Sequence, residues 1–148
     1  AEAALGYRQA IAIAREVRDR RSEGIWLGNL AELDAAAGRL AEAETGLHTA
    51  LAIHEAVRNA RDGGAHRRAL GVLLHATGRE REAVETLRRS LADVGSLGDP
   101  EEHALTLRAL AAVLRESGRG DPNAAAEADE LDAHADGLGP PAQPGGDA

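Results

Sequence analysis

The ten residues LAELDAAAGR, at positions 30–39, decide the fold because the same pattern returns twice farther along the chain. Positions 70–79 read LGVLLHATGR and positions 110–119 read LAAVLRESGR, so the spacing is 40 residues both times. Each copy begins with a leucine and a small residue and ends in Gly-Arg. A period of this length indicates a repeat protein, in which each unit stacks on the next.

The remaining part of each repeat has the same period. Glu-Ala pairs stand at positions 2–3, 42–43 and 82–83. Within a copy, apolar residues recur three and four positions apart, as in Leu47, Ala50 and Leu51, which is the spacing of an amphipathic helix. We therefore predict an all-α fold, an α-α superhelix of antiparallel helix pairs with about seven helices.

Glycine and proline mark the predicted helix ends. The glycine of each Gly-Arg pair suits the left-handed position after the first helix of a pair. Asp62-Gly63-Gly64 and Asp99-Pro100 predict boundaries between units. These signals place a solenoid domain at 1–136, made of a half repeat at 1–20 and repeats at 24–60, 64–97 and 101–136, before a disordered Pro/Gly-rich tail at 137–148.

Composition narrows the functions that the chain can have. The 148 residues include no Cys, no Met and no Phe, and all 17 basic residues are Arg, a bias typical of high-GC bacterial coding sequences. Without Cys, disulfides, thiolate catalysis and Cys-based zinc sites are excluded. No apolar run approaches the ~20 residues that cross a bilayer, and no signal peptide opens the chain, which favours a cytoplasmic location and no membrane partner. The missing initiator Met indicates a fragment or a processed chain.

Charge and side-chain spacing argue against several kinds of site. Residues 117–148 hold seven acids and one Arg, and the rest of the chain is almost neutral without a basic stripe, so we predict no direct nucleic-acid binding. The six His residues form no pair four apart with a supporting carboxylate, so we predict no metal or other cofactor. No Ser or Thr has a base and an orienting group beside it, so we predict that the protein is not an enzyme.

Small residues after the leucine of the first helix and early in the second helix resemble the tetratricopeptide repeat. The 40-residue period and the stretch EGIWLGNL at 23–30 resemble its longer, LGN-like variant. The resemblance extends over residues 1–136 and weakens after 118. It implies a protein- or peptide-binding scaffold, in the setting where similar bacterial arrays occur, the C-terminal sensor part of transcriptional regulators and signalling ATPases.

The resemblance also implies that the first helices of successive pairs line a concave groove. Because most of the charged positions there are basic, we hypothesise a protein or peptide ligand with acidic side chains, held by bidentate Arg contacts. The alternative is that these Arg residues are solvated or pair with Glu32, Glu101 and Glu116. The implied partner-binding positions are Asn29, Glu32, Arg68, Val72, His75, Arg108 and Arg115.

The first predicted helix lacks a preceding partner, so we expect an exposed apolar face on it. This expectation supports an alternative function, a structural oligomerisation element that forms a homodimer through the N-terminal helix. The residues expected on that face are Ala3, Tyr7, Ala10, Ile11 and Ala14, with Ala3, Tyr7 and Ile11 as the interface.

Two further residues carry expectations about the core. Trp26 is predicted to fill the seam towards Val17 and Ile13. Asp34 stands where such repeats usually carry an aromatic residue, so it either pairs with an Arg or is solvated.

Overall fold

The computed structural model describes residues 2–138, and within that range the fold is all-α. The predicted tail at 137–148 lies almost wholly outside the described residues. The helices are α1 (Glu2–Glu16), α2 (Arg20–Ala36), α3 (Leu40–Ala56), α4 (Ala60–Ala76), α5 (Glu80–Gly95), α6 (Pro100–Ser117) and α7 (Pro122–Gly137). The predicted helical solenoid is confirmed.

The helices form two layers. Each helix packs against the next, and α4 also packs against both α2 and α6, whereas no such contact joins α3, α5 and α7 within residues 2–138. The inner layer is therefore α2, α4 and α6, and the outer layer is α3, α5 and α7. Short connections between successive helices produce this stacking, as in other repeat solenoids.

Two helices begin earlier than the pair boundaries at 24 and 64 that the sequence indicated. Asp19 caps α2 at its N-terminus by accepting a hydrogen bond from the Ser22 backbone N–H at 3.1 Å. Gly63 and Gly64 lie inside α4 and are buried, so they mark no boundary. A Cβ on Gly64 would lie 2.5 Å from Val94 Cγ1, so this glycine provides room for α5.

The loops after α2 and α4 confirm the glycine prediction, but the loop after α6 does not. Gly38 and Gly78 have φ values of 77° and 79°, whereas Gly118 has φ −95°. In this loop Gly120 takes the left-handed conformation, with φ 91°. The loop is longer because Pro122 starts α7, so the reversal occurs two residues later.

The loops before α2, α4 and α6 also contain a left-handed residue, which the sequence analysis did not predict. Its φ is 58° at Arg18, 52° at Arg58 and 67° at Gly98. Only Gly adopts this conformation without steric cost, so the two Arg residues are held there by the surrounding helices.

Small residues let neighbouring helices approach closely in the core. A Cβ on Gly46 would lie 2.8 Å from the Ala31 Cβ, and a Cβ on Gly71 would lie 2.6 Å from Leu87 Cγ. These contacts place α3 against α2 and α5 against α4. Leucine, valine and alanine fill the remaining core, which is continuous from α2 to α7.

Asp34 is buried and has the Arg partner that was one of its two predicted environments. Arg39 Nη2 and Nε donate to Asp34 Oδ1 at 2.6 and 3.0 Å. Arg39 follows the left-handed Gly38, so the turn itself brings the guanidinium back to the carboxylate. The charge is therefore neutralised within one loop.

Candidate partner-binding groove

The inner layer of helices encloses a groove of about 480 Å³ between α2, α4 and α6, with one wall from α3. Alanine, leucine and valine side chains form most of its surface, and Glu32 and Arg68 are its charged residues. The lining consists of Glu32, Ala35, Leu40, Leu47, Ala65, Arg68, Ala69, Val72, Leu73, Ala76, Leu105 and Ala109.

Three of the seven predicted positions, Glu32, Arg68 and Val72, lie in this groove. Burial raises the pKa of the Glu32 carboxyl, while Arg68 lowers it and Glu102 raises it. This carboxyl therefore lies close to the charged pair that Arg68 forms with α6. The remaining four positions, described below, are engaged in contacts outside the groove lining.

Arg68 is already paired in the free protein. Its Nη1 donates to Glu102 Oε2 at 2.7 Å and to Thr106 Oγ1 at 3.2 Å. The Arg68 and Glu102 side chains are both largely buried. The pair joins α4 to α6 across the floor of the groove, so Arg68 supports the groove as well as lining it.

Arg108 and Arg115 pair with the acidic last helix. Arg108 Nη2 donates to Asp136 Oδ1 at 3.1 Å. Arg115 donates to Asp129 and Asp132 on α7, at 2.7 and 2.6 Å. Arg68, Arg108 and Arg115 are therefore paired within the chain, as the alternative interpretation held. Their partners are Glu102 and the α7 aspartates, whereas the predicted partners were other glutamates.

His75 lies between two carboxylates at the end of α4. Its Nδ1 is 2.6 Å from Glu80 Oε2 and its Nε2 is 2.7 Å from Glu116 Oε2. The hydrogen bonds to Glu116 and Glu80 raise the pKa of His75 above its usual value. The imidazole therefore connects α4 to both α5 and α6.

Asn29 belongs to a buried polar chain, not to an open ligand site. Its Oδ1 lies 3.3 Å from His66 Nε2. The other ring nitrogen of His66, Nδ1, is 2.9 Å from His54 Nε2, and the two rings stack with centroids 5.1 Å apart. The sequence analysis did not identify this pair, because residues 12 apart on different helices give no periodic signal.

The groove also has apolar side chains that the predicted set left out. Val72 and Leu105 are 45% and 42% exposed and face each other's helices across the groove, and Leu40 closes one end. Exposed aliphatic side chains at the mouth of a concave, mostly apolar surface are the usual features of a peptide-binding site. The groove is therefore more apolar and less basic than expected.

On α1, the predicted exposed face is partly wrong. Ile11 and Ala14 are buried against α2, whereas Ala3 is exposed and Tyr7 is half-buried. Tyr7 stacks on Trp26, with ring centroids 5.9 Å apart. The buried face of α1 is rotated about the helix axis from the face that was expected, because α1 packs on α2.

Trp26 contacts a different residue from those predicted. Ile13 and Val17, its expected partners, are both exposed. The Tyr7 ring packs against Trp26 in their place. An ion pair on the same side of α2 also holds α1 and α2 together. Glu23 is buried and accepts from Arg15 Nε at 2.7 Å and Arg20 Nη1 at 2.5 Å, and Arg15 foremost lowers the pKa of its carboxyl.

Residues 2–138 lack two other kinds of site. No group of three or more His, Asp or Glu residues is placed to hold a metal ion there. None of the seven described helices is long and apolar enough to cross a membrane.

Comparison with known proteins agrees with this architecture. The family model for the tetratricopeptide repeat matches residues 22–94. The crystal structure of kinesin light chain nearly identical TPR-like repeats from Podosopora anserina superposes with a TM-score of 0.66 at 23% identity, over 93% of this chain and 65% of that chain. No curated protein matches the sequence. Residues 22–94 thus match the tetratricopeptide-repeat model, and the described chain folds as a TPR-like helical solenoid.

Proposed function

We propose that the protein is a non-catalytic scaffold module that binds a protein or peptide segment in the groove between α2, α4 and α6. The observation that carries the proposal is the groove itself, which is concave, mostly apolar and bordered by the exposed side chains of Val72 and Leu105. Tetratricopeptide repeats generally mediate protein–protein interactions, so the family supports the same function.

The partner that fits is a segment with aliphatic side chains and a carboxylate. Apolar burial supplies most of the affinity at roughly 25 cal/mol per Å² of buried surface. The carboxylate binds at Arg68, where Nη1 makes both bonds to α6 within the described chain. Nε and Nη2 of the same guanidinium can donate to a ligand in a bidentate manner.

The test begins with selection of peptides from a displayed random library on the immobilised protein. Val72→Asp with Leu105→Asp places charge on the groove wall and should weaken the selected peptides by at least about tenfold. Leu97→Asp is the matched control, because Leu97 is 40% exposed and lies outside the groove. Equal affinity for the wild type and the groove variant contradicts the proposal.

The proposed preference of the groove for a ligand with a carboxylate can be tested separately. Arg68→Glu combined with Glu102→Arg keeps the charged pair between α4 and α6 and reverses the polarity of the groove. Peptides selected on the wild type for a carboxylate should lose affinity for this exchange variant, and peptides carrying Arg or Lys in its place should gain it. Unchanged affinities mean that Arg68 has only a structural role.

The biological setting is a further part of the proposal. The Arg-only basic residues and the Ala/Gly bias suit a high-GC bacterial source, and the resemblance to LGN-like arrays suits the C-terminal sensor part of a cytoplasmic regulator of transcription or signalling. Expression of the natural full-length protein and identification of the domain attached to this module test the setting. Attachment to a DNA-binding or nucleotide-binding domain supports it.

A second candidate function, self-association through α1, is supported by repeat equivalence. Ile13 is 60% exposed, whereas Ile53, its equivalent 40 residues later, is 4% exposed because it packs on Gly24 of α2. Ala43 and Leu47, the equivalents of Ala3 and Tyr7, are fully buried. The outer face of α1 thus has the residues of a helix interface and can pair with α1 of a second chain.

Sedimentation over a range of protein concentrations tests self-association. Ile13→Asp should shift the equilibrium to monomer. Ala12→Asp is the matched control, because Ala12 and its equivalents Ala52 and Ala92 are all exposed. A wild-type protein that is monomeric at every concentration excludes this candidate.

A further inference from the structure

The strongest feature outside the groove lining is the buried His54–His66 pair at the junction of α2, α3 and α4. His54 and His66 are 2% and 3% exposed. Glycines make room for the rings: a Cβ on Gly24 would lie 3.1 Å from His54 Cε1, one on Gly63 would lie 3.3 Å from His54 Cβ, and one on Gly28 would overlap the His66 ring. The surrounding sequence is therefore matched to two imidazoles.

The hydrogen bonds around the pair have only one consistent set of directions. Asp62 can only accept, so the Asn59 Nδ2 amide donates to it at 2.7 Å, and the same amide faces His54 Nδ1 at 3.4 Å. His54 Nδ1 is then an acceptor, and Nε2–H donates to His66 Nδ1. His66 in turn donates from Nε2 to Asn29 Oδ1. Both imidazoles are neutral in this arrangement.

An additional proton on either ring has no acceptor among the described residues. On His66 Nδ1 it would meet the Nε2–H of His54, and on His54 Nδ1 it would meet the Asn59 amide N–H groups. Protonation of either ring therefore breaks the bond between His54 and His66 or the one between Asn59 and His54, both of which join α3 to the first half of α4. Because a buried donor without an acceptor is costly, the helices must separate enough to admit water.

The charged groups around the pair partly oppose one another, and Glu55, Arg58, Arg89 and Asp93 share a cavity with His54 on the side of α3 and α5. Arg21 and Glu32 face it from α2, and Glu32 Oε1 is 3.8 Å from His66 Nε2. Asp62, Arg67 and Arg68 face it from α4. Burial, and then the other imidazole, lower the pKa of His66 to about 4, and burial foremost lowers the pKa of His54.

We propose that the His54–His66 pair is a pH-sensitive lock that holds α4 against α3 and, through His66, against α2 while both rings are neutral, and that releases this junction on acidification. The release changes the spacing of two of the three inner helices, so it also changes the groove. The effect on a groove ligand rests on the proposed function, whereas the opening of the junction does not.

Hydrogen–deuterium exchange measured by mass spectrometry at pH about 7.5 and about 5 tests the lock. After correction for intrinsic exchange, peptides from α2 should lose protection at low pH by at least about tenfold relative to peptides from α6. Parallel loss in α2 and α6, or no loss in α2, overturns the proposal.

The chain offers a matched control for this experiment. The equivalents of His54 and His66 at the next junction are Val94 and Thr106, both buried, so His54→Val with His66→Thr copies a pair of residues that this backbone already accommodates. The selective loss in α2 should disappear in that variant. Retention of the wild-type pH dependence in the variant assigns the effect to other groups and overturns the proposal.

A second measurement on the wild type needs no variant. The imidazole NMR signals of His66 should stay those of a neutral ring at pH about 5.5, because its pKa is about 4, and His54 should titrate below its usual pKa, with the proton on Nε2 in both rings. Titration of His54 and His66 at the usual pKa, near 6.5, contradicts the proposal irrespective of any ligand.

Discussion

Two successive junctions of the solenoid use the same backbone positions with different chemistry. Between α2 and α4, Gly28 and His66 lie opposite each other, and the His66 ring occupies the space that a side chain at position 28 would need. Between α4 and α6, the equivalent positions hold Arg68 and Thr106, which are hydrogen-bonded at 3.2 Å. The large residue is thus on the second helix of one junction and on the first helix of the next, and α4 carries it both times.

This exchange shows that either helix of a junction can supply the large side chain, provided that the facing helix supplies a smaller one. A long side chain on one helix is accommodated by a small one on its neighbour, as close packing requires. The charge of the contacting groups also differs, because neutral imidazoles hold the first junction and the Arg68–Glu102 ion pair holds the second. The two junctions should therefore respond differently to pH and to substitution.

Acidification should produce the largest difference between the junctions. The pKa of His66 in the folded state, about 4, lies below the ordinary value of 6.5, so its contribution to stability is complete above pH 6.5 and is lost as the pH falls towards 4. A shift of this size corresponds to about 3 kcal/mol of unfolding free energy. Urea denaturation of the wild type and of His54→Val/His66→Thr, compared at each pH, isolates this contribution from that of the carboxylates.

Gly28→Ala should destabilise the first junction by about 2 kcal/mol, because the added methyl group overlaps the His66 ring. Gly6→Ala is the matched control: its Cβ would have nothing within 4 Å, so it should be neutral or stabilising by up to about 1 kcal/mol. Thermal denaturation measures both. Addition of His66→Thr should recover part of the loss from Gly28→Ala, and a fully additive result would contradict the exchange of volume described above.

Arg58→Gly should make the loop before α4 resemble the loop before α6 and stabilise the protein by about 1 kcal/mol. Arg58 has φ 52° where the equivalent Gly98 has φ 67°, and a left-handed conformation costs an L-residue about 1–2 kcal/mol. Arg81→Gly, on an exposed face of α5, should instead lower the stability by about 1 kcal/mol. A destabilising Arg58→Gly would show that the Arg58 side chain contributes more than its backbone costs.

The smallest expected effect is at His75, whose contribution to stability is lost as the pH rises and not as it falls. Its pKa is raised in the folded state, first by Glu116, so its contribution is complete below pH about 6.5 and is lost as the pH rises through the folded value. Because Glu116 is largely exposed, the contribution should be about 0.5 kcal/mol. The difference in stability between the wild type and Glu116→Gln, measured at pH about 6 and about 9, should shrink at the higher pH.

Part of the candidate site could be predicted from the sequence. Glu32, Arg68 and Val72 follow from the resemblance, because the groove positions of the tetratricopeptide repeat can be carried over to equivalent positions on successive inner helices. Arg108 and Arg115 occupy such positions too, but their state depends on α7, whose aspartates fall outside the repeating pattern. Periodicity assigns a residue to a helix face and gives no information on which charged neighbour from another helix reaches it.

The glycines show the same limit in the fold. The Gly-Arg pairs predicted two loops correctly, since a glycine that follows an apolar repeat suits a left-handed position. Gly63 and Gly64 indicated a boundary by the same reasoning, yet they lie inside α4, where they accommodate His54 and Val94. A glycine needed for a turn and one needed for close packing have the same local sequence signature.

The sequence by itself determined the helical class and the 40-residue period, because both follow from the spacing of apolar and small residues along one chain, and the resemblance to the tetratricopeptide repeat implied the inner position of α2, α4 and α6. Only the tertiary structure decided that Ile11 is buried while Ile13 is exposed, and that His54 and His66 meet. The rotation of each helix about its axis and the contacts between distant helices are set by the packing of all neighbours together. That information is spread over residues far apart in the chain, where no local pattern records it.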